Sequence, residues 1–414
     1  MIRFFIAAIV IFSLLQCQAP QTKKEEKKVV EKKEEEPPKP KDPFDIYSKK
    51  ESNDLKKNIT LGTLKIPVYS KEPALVTYDS AGDANISINI GSQANVNCVY
   101  SKDDYIIGTY LKNLNKKLDS SKLLMKYRLR SYQAKLINKF PSMFFLYEYI
   151  TKDNLYGNLK LIITNTNSRG SLICAHDEPG YIKTFQKVLK SIVDSPPVSQ
   201  QFTVSGKYKQ KIIYLIYLNN NPIGYTEGYS FSQGSDHLLS VSNELIVIPV
   251  SDKEILTNEM KITISNDAIT GETLDYKIVS HENGKKRSNL SLRKKGTKKY
   301  KVKGLFRGKL IDKILKSDYN VVDSGNAITQ FMRQYNRKGV DKYTFSEFNH
   351  SKPNSLSKSE LIYLQKEKSL HKLQYKTGDN FSMNIITDNN SPTEMEFKLG
   401  KQTFRYKRVL NEIR

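Results

Sequence analysis

Apolar and polar residues alternate with a period of two over many short segments, a pattern typical of half-buried β-strands. In two segments, 103–118 and 180–193, apolar residues instead recur at helical spacing. The first helical segment begins with acidic residues and carries Lys near its end, which suits a helix dipole. The strands predicted around these helices cover residues 64–69, 74–78, 85–90, 95–101, 125–138, 142–151, 158–165 and 170–175.

This order of strands, helix, antiparallel strands and helix predicts a first folded unit over residues 61–195. The order resembles the PsbP-like α/β/α sandwich, which occurs in extrinsic photosystem subunits and in other bacterial proteins. The resemblance implies a sheet covered by helices, and it carries no catalytic motif.

A second unit, predicted over residues 207–414, follows a linker at 196–206 that contains Pro196 and Pro197. It opens with two alternating strands around an Asn-Asn-Asn-Pro turn. No fixed-period repeat occurs in either unit. A helix is expected at 327–335, and further strands at 238–249, 259–265, 273–281, 298–306, 341–348, 360–366, 372–377, 381–387, 393–399 and 402–409.

The second unit carries a short family signature. Ile213-Tyr214-Leu215-Ile216-Tyr217-Leu218 is followed by Pro222-Ile223-Gly224-Tyr225, and the chain ends in strands such as MEFKLGKQTFRYKRV. These features resemble the β-domain that precedes transglutaminase-like modules in envelope lipoproteins, a domain similar to the half-barrels of LolA and LolB. No cysteine follows Cys174, so the transglutaminase nucleophile is missing. The expected fold class is therefore α+β, a PsbP-like antiparallel sheet with two helices followed by a LolA-like curved antiparallel half-barrel.

The N-terminus predicts export. Arg3 precedes an apolar run at 4–15 that is too short to span a membrane but has the length of a signal-peptide core. Leu14-Leu15-Gln16-Cys17 resembles the lipobox of bacterial lipoproteins, which implies that Cys17 is lipidated and becomes the new N-terminus. An ordinary signal peptide or a signal anchor is the alternative. Residues 18–60 are expected to form a charged, Pro-containing tether that holds the folded units off a membrane, most simply the outer membrane.

The charge balance favours an anionic partner. The chain carries 67 Lys and Arg against 43 Asp and Glu, a formal net charge of +24. For an exported protein, the partners that suit this charge are lipid headgroups, acidic envelope polymers or an acidic protein surface, and not nucleic acid. A Lys-rich proteome is the alternative explanation.

Two cysteines, Cys98 and Cys174, lie in strand-like segments after Cys17. Export to an oxidising compartment favours a disulfide between them, and two buried free thiols are the alternative.

Candidate catalytic residues are sparse. Cys174, His176, Asp177 and Glu178 fall within five residues, but this segment has the pattern of a strand-to-helix turn in which Asp177 or Glu178 caps the helix. Replacing His176 by Ala is then expected to leave the fold intact. The remaining histidines show no metal-ligand spacing, and no phosphate loop or hydrolase motif is present. We therefore expect no enzymatic activity, no cofactor and no metal.

The segment 284–309 is the strongest binding candidate, because it contains twelve basic residues and no acidic one. It can form a basic hairpin or sheet face that binds an anion, or the solvated face of a Lys-rich domain. If it binds, changing Lys294, Lys295, Lys298 and Lys299 to Gln is expected to abolish the binding. The twelve residues are Lys285, Lys286, Arg287, Arg293, Lys294, Lys295, Lys298, Lys299, Lys301, Lys303, Arg307 and Lys309.

The sequence thus predicts a lipid-anchored envelope protein with a non-catalytic binding or assembly role. One alternative is a carrier that holds a lipid or acyl group in the second unit, and another is a cell-wall hydrolase. Residues that could line a carrier cavity, or equally a packed core, are Ile213, Leu215, Tyr217, Ile246 and Ile248.

Overall fold

The computed structural model describes residues 50–62, 65–80, 82–91, 94–101, 107–165, 170–194, 208–378, 381–388 and 391–414. Within these ranges the chain is mostly antiparallel β-structure with three α-helices, and its sheets have two, seven and fourteen strands. None of the described helices is long and apolar enough to cross a membrane.

The first two sheets follow the predicted order of elements. Helix α1 (Ile107–Ser120) lies between the fifth and sixth strands, and α2 (Ile182–Asp194) follows the ninth. The seven-stranded sheet has the order β3-β4-β5-β9-β8-β7-β6, and the two-stranded sheet pairs β1 with β2. The strands are β1 (Lys56–Ile59), β2 (Pro67–Ser70), β3 (Leu75–Tyr78), β4 (Ala84–Asn89), β5 (Asn95–Ser101), β6 (Leu124–Ile137), β7 (Phe140–Thr151), β8 (Tyr156–Asn165) and β9 (Ser171–His176).

Strand β7 explains how the seven-stranded sheet is covered. Because successive side chains point to opposite faces, its unbroken apolar run buries both faces. Phe144 shares a core with Phe185 of α2, whereas Phe145 belongs to a different core that contains Leu111 of α1 and residues of the largest sheet. The predicted α/β/α sandwich has helices alone on both faces of the sheet. Here α2 covers one face, whereas α1 and the largest sheet together cover the other.

The fourteen-stranded sheet consists of two antiparallel meanders that join where its first and last strands, β10 and β23, pair. Strands β17 and β18 form the two edges. Its elements are β10 (Gln210–Leu218), β11 (Asn221–Gln233), β12 (His237–Pro249), β13 (Ile255–Asp267), β14 (Thr273–Glu282), β15 (Lys285–Gly296), β16 (Lys299–Phe306), β17 (Lys309–Lys316), α3 (Ser324–Lys338), β18 (Lys342–Phe348), β19 (Leu356–Glu367), β20 (Leu370–Thr377), β21 (Phe381–Thr387), β22 (Pro392–Leu399) and β23 (Gln402–Ile413).

Helix α3 packs against one face of this sheet, which we call the inner face. Asp323 caps the helix by accepting hydrogen bonds from the backbone N–H groups of Gly325 and Asn326 at 3.1 and 3.2 Å. Phe331 and Met332 are buried in a cluster with aromatic residues of β10, β18, β20 and β23. The helix thereby fills space that the sheet encloses.

The two large sheets share a hydrophobic core. Leu215, Tyr225 and Leu245 of β10–β12 point away from α3 and pack with Phe145 and Tyr147 of the seven-stranded sheet. The face of β10–β12 that points away from α3 is therefore buried near α1. The two predicted units pack against each other through this shared core.

Each of the first two helices is capped by a glutamate distant in sequence. Glu259 of β13 accepts hydrogen bonds from the backbone N–H groups of Ile107 and Gly108 at 2.9 and 2.7 Å. Glu51 accepts from Lys183 and Thr184 at 2.9 and 2.7 Å, so Asp177 and Glu178 are not the capping groups of α2. The acidic residues expected to begin the first helix, at 103–104, lie outside the described residues.

The N-terminal predictions are largely outside the described part of the chain. The signal peptide, Cys17 and most of the tether fall in residues 1–49, and the linker at 196–206 also lies outside it. Residues 50–60, predicted as tether, are packed in the structure. Leu55 is buried, Glu51 caps α2 and β1 pairs with β2, so the folded structure begins before residue 61.

Candidate anion-binding site

The twelve basic residues of segment 284–309 do not form one surface. Strands β15 and β16 carry them along about 30 Å of an antiparallel hairpin, and alternation places them on two faces. Four lie on the outer face, opposite α3, and Lys294 lies on the inner face. The outer-face residues are Arg293, Lys299, Lys301 and Lys303, and those at or beside the turns are Lys285, Lys286, Arg287, Lys295, Lys298, Arg307 and Lys309.

Some of these residues stabilise the fold. Lys294 Nζ lies 2.7 Å from Glu272 Oε2, and the Tyr300 hydroxyl donates to the same carboxylate. Glu272 and Tyr300 are buried and Lys294 is partly buried, so Lys294 has a structural role on the inner face, away from the outer-face lysines. Three more residues pair with carboxylates on the same sheet: Arg287 with Glu282 at 2.9 Å, Arg293 with Asp275 at 3.4 Å and Lys301 with Asp312 at 3.0 Å.

A shallow depression lies on the outer face of β13–β16. Its cavity volume is about 470 Å³, and it is bordered by three lysines from three strands together with hydroxyl and amide side chains. The polar lining residues are Lys261, Thr263, Lys277, Asn289, Ser291 and Lys303.

Strand register explains the placement of these side chains. Lys277 and Lys303 both lie directly opposite Ser291, and Thr263 lies opposite Lys277. Neighbouring strands are about 4.8 Å apart, so the Cα atoms of Lys277 and Lys303 are separated by about 10 Å. Two long lysine side chains at this spacing can contact one phosphate or carboxylate group from both sides.

The electrostatics of the depression suit an anion. Neither Lys277 nor Lys303 forms an ion pair with a carboxylate of the described residues. Asp312, which lies opposite Lys303, is held by Lys301, and Asp275 is held by Arg293. Ammonium groups beside serine, threonine and asparagine side chains can donate charge-assisted hydrogen bonds to anionic oxygens.

Only Lys303 of this site belongs to the basic segment that the sequence singled out. Lys261 and Lys277 lie in strands predicted at 259–265 and 273–281, where each directly precedes a buried isoleucine. Period-two alternation could therefore have assigned both lysines to the solvent face. Strand register, which brings them beside Lys303, is not visible in the sequence.

The segment around Cys174 is packed. Cys98 and Cys174 are directly opposite on β5 and β9, and the structure joins their sulfur atoms at 2.01 Å. His176 is only 2% exposed, and its Nδ1 lies 2.9 Å from the Asn95 carbonyl oxygen while its ring packs edge-on against Tyr181. Replacing His176 by Ala should therefore destabilise the fold, contrary to our expectation from the sequence.

Lys160 is buried beside His176 in the same region. Its Nζ donates to the Asn158 side chain and backbone and to the Glu178 carbonyl oxygen. Burial lowers the pKa of Lys160 to about 7. These bonds tie the turn before α2 to β8, which is a structural role. Among the described residues, no group of three or more His, Cys, Asp or Glu side chains could hold a metal ion.

The residues proposed to line a carrier cavity do not share one face. Ile246 and Ile248 belong to the core around α3, whereas Leu215 and Tyr217 belong to the core shared with the seven-stranded sheet. This division follows from strand alternation.

No family model matches the chain, and no curated protein matches its sequence. Part of the chain is similar to the crystal structure of a β-barrel-like protein from Brucella abortus, a domain of unknown function (DUF1849). The TM-score is 0.41 and the sequence identity 12%, over 50% of this chain and 98% of that chain. A similarity at this level gives no argument about function.

Proposed function

We propose that the protein is a lipid-anchored envelope protein with a non-catalytic binding role, and that the outer face of β13–β16 binds an anionic partner. In this proposal, Cys17 carries the lipid and the charged segment after it is the tether to the outer membrane. The observation that supports binding is the depression in which Lys277 and Lys303 flank Ser291 without a carboxylate partner among the described residues.

The chemistry of the depression defines the class of partner. Lysine is a point charge with three donors, so it binds phosphate and carboxylate groups without the planar selectivity of arginine. The shallow, open shape suits a charged group on a larger surface or polymer. Anionic lipid headgroups, acidic envelope polymers and acidic protein segments all present such groups.

The finer fold resemblances belong to the same proposal. The seven-stranded sheet with α2 on one face is compatible with a PsbP-like unit, and the large sheet around α3 is compatible with a LolA-like half-barrel. A carrier of lipid or acyl groups is a weaker candidate, because the apolar side of α3 packs where such a ligand would lie. A cell-wall hydrolase has no supporting geometry among the described residues.

A soluble polyanion tests the proposal without a membrane. Titrating the full chain with fluorescently labelled polyphosphate should give binding that weakens with salt. The Lys261→Gln/Lys277→Gln/Lys303→Gln variant should bind about a hundredfold more weakly, at about 1 kcal/mol for each lysine. A matched control, Lys366→Gln/Lys368→Gln/Lys401→Gln, removes the same charge from exposed sites of the other meander, β18–β23. Equal loss in both variants, or no binding, would refute the proposal.

A further inference from the structure

Edge strand β17 exposes apolar side chains beside the basic face. Leu310 is 87% exposed and Ile314 is 55% exposed. In the register with β16, Leu310 lies opposite Leu305 and Ile314 lies opposite Lys301, which places both on the outer face. Four residues of strand separate them by about 13 Å. Among the described residues, Leu310 is the most exposed of the large apolar side chains.

Basic residues surround these two side chains. Lys303 and Lys316 share the outer face with Asp312, which pairs with Lys301, while Lys309 and Lys313 are exposed on the same strand. The pattern of isolated apolar side chains among lysines suits the interface of an anionic bilayer, where apolar groups enter the lipid and ammonium groups contact phosphates.

The edge position helps to choose between a bilayer and a peptide strand. Among the described strands, none pairs with the free edge of β17, the edge away from β16. Lysines on an edge strand normally oppose the addition of another strand, because charged side chains resist edge-to-edge pairing. A bilayer surface needs no backbone pairing, so these lysines favour it.

We infer that the outer face of β16–β17 rests on an anionic lipid bilayer, with Leu310 and Ile314 inserted at the interface. Lys303 and Lys316 contact headgroup phosphates in this arrangement. The inference rests on the proposed function and narrows its anionic partner to a membrane surface.

The absence of tryptophan from the sequence allows a direct test. The Leu310→Trp variant of the full chain has a single tryptophan at the predicted insertion point. The Leu155→Trp variant is a matched control, since Leu155 is 66% exposed in the turn between β7 and β8 of the other large sheet. Both variants are mixed with vesicles of phosphatidylcholine alone or with phosphatidylglycerol, and with brominated lipids as quenchers.

We expect the Leu310→Trp emission to move to shorter wavelength and to be quenched by brominated lipid only with the anionic vesicles. The Leu155→Trp emission should not change. An unchanged Leu310→Trp emission, or equal changes at both positions, would overturn the inference. If polyphosphate still binds through the three lysines in that case, the proposed function survives and only the membrane assignment fails. If polyphosphate binding is also absent, both fail.

Discussion

Glu244 should make folding stability fall as the pH rises. Its side chain lies on the inner face of β12 and is 6% exposed, and Oε2 accepts a hydrogen bond from Thr226 Oγ1 at 3.0 Å. Burial raises the pKa of Glu244 from 4.5 to about 8, and the hydrogen bond from Thr226 offsets only part of this increase. The carboxyl group is therefore protonated in the folded protein at neutral pH.

The sign of the effect follows from linkage. Below pH 4.5 both states hold the proton, whereas between 4.5 and about 8 the unfolded chain loses it and the folded chain keeps it. Stability contributed by this group is thus lost as the pH rises, at about 1.4 kcal/mol per pH unit, to a total on the order of 5 kcal/mol.

The Glu244→Gln variant isolates this contribution. Glutamine has the same shape and still accepts the Thr226 hydrogen bond, but it does not titrate. Urea unfolding of the full chain, followed by circular dichroism at pH 5 and pH 7, should show the variant gaining about 2 to 3 kcal/mol relative to wild type over this range. The Glu254→Gln variant, at an exposed loop position, should follow the wild-type profile. Parallel profiles for Glu244→Gln and wild type would show that Glu244 does not hold a proton in the folded protein that the unfolded chain releases.

Two further predictions concern the fold around the site. Lys294→Gln should lower the unfolding free energy by about 2 kcal/mol, because it leaves the Glu272 carboxylate without its ammonium partner. Lys299→Gln, on the outer face, should lower it by less than about 0.5 kcal/mol. Equal stabilities of the two variants in urea titrations would contradict the structural role of Lys294. For Cys98 and Cys174, non-reducing mass spectrometry of the denatured chain should show a linked peptide pair and no alkylation at either position, and two alkylated thiols would contradict the bridge.

Local patterns predicted most of the strands. Strands β5 and β13 were both recognised because they alternate clearly between buried and exposed residues. The bounds of β5 match the prediction, whereas β13 extends beyond the predicted 259–265 at both ends. Strand β17 was missed because its outer face mixes apolar and charged residues, which hides the period of two. The outer positions of β15 are likewise polar, so that segment was recognised by its charge and not as a strand.

The site itself depended on contacts between distant segments. The clustering of basic residues at 284–309 predicted one binding surface. The β15–β16 hairpin places these residues on two faces and at turns, and Lys294 forms an ion pair on the inner face. Lys261 and Lys277 join Lys303 only through the register of four strands. The capping of α1 by Glu259 depends on tertiary packing in the same way, and no local pattern predicts it.

A lysine footprint of the full chain tests most directly whether the depression on β13–β16 binds an anion. Acetylation of each lysine would be measured by mass spectrometry with and without polyphosphate, so that every exposed lysine is compared in one sample. We expect protection at Lys261, Lys277 and Lys303, with unchanged acetylation at Lys368 and Lys401, which are exposed in turns of the other meander, β18–β23. Uniform protection of all exposed lysines, or no protection at the three that border the depression, would contradict anion binding there.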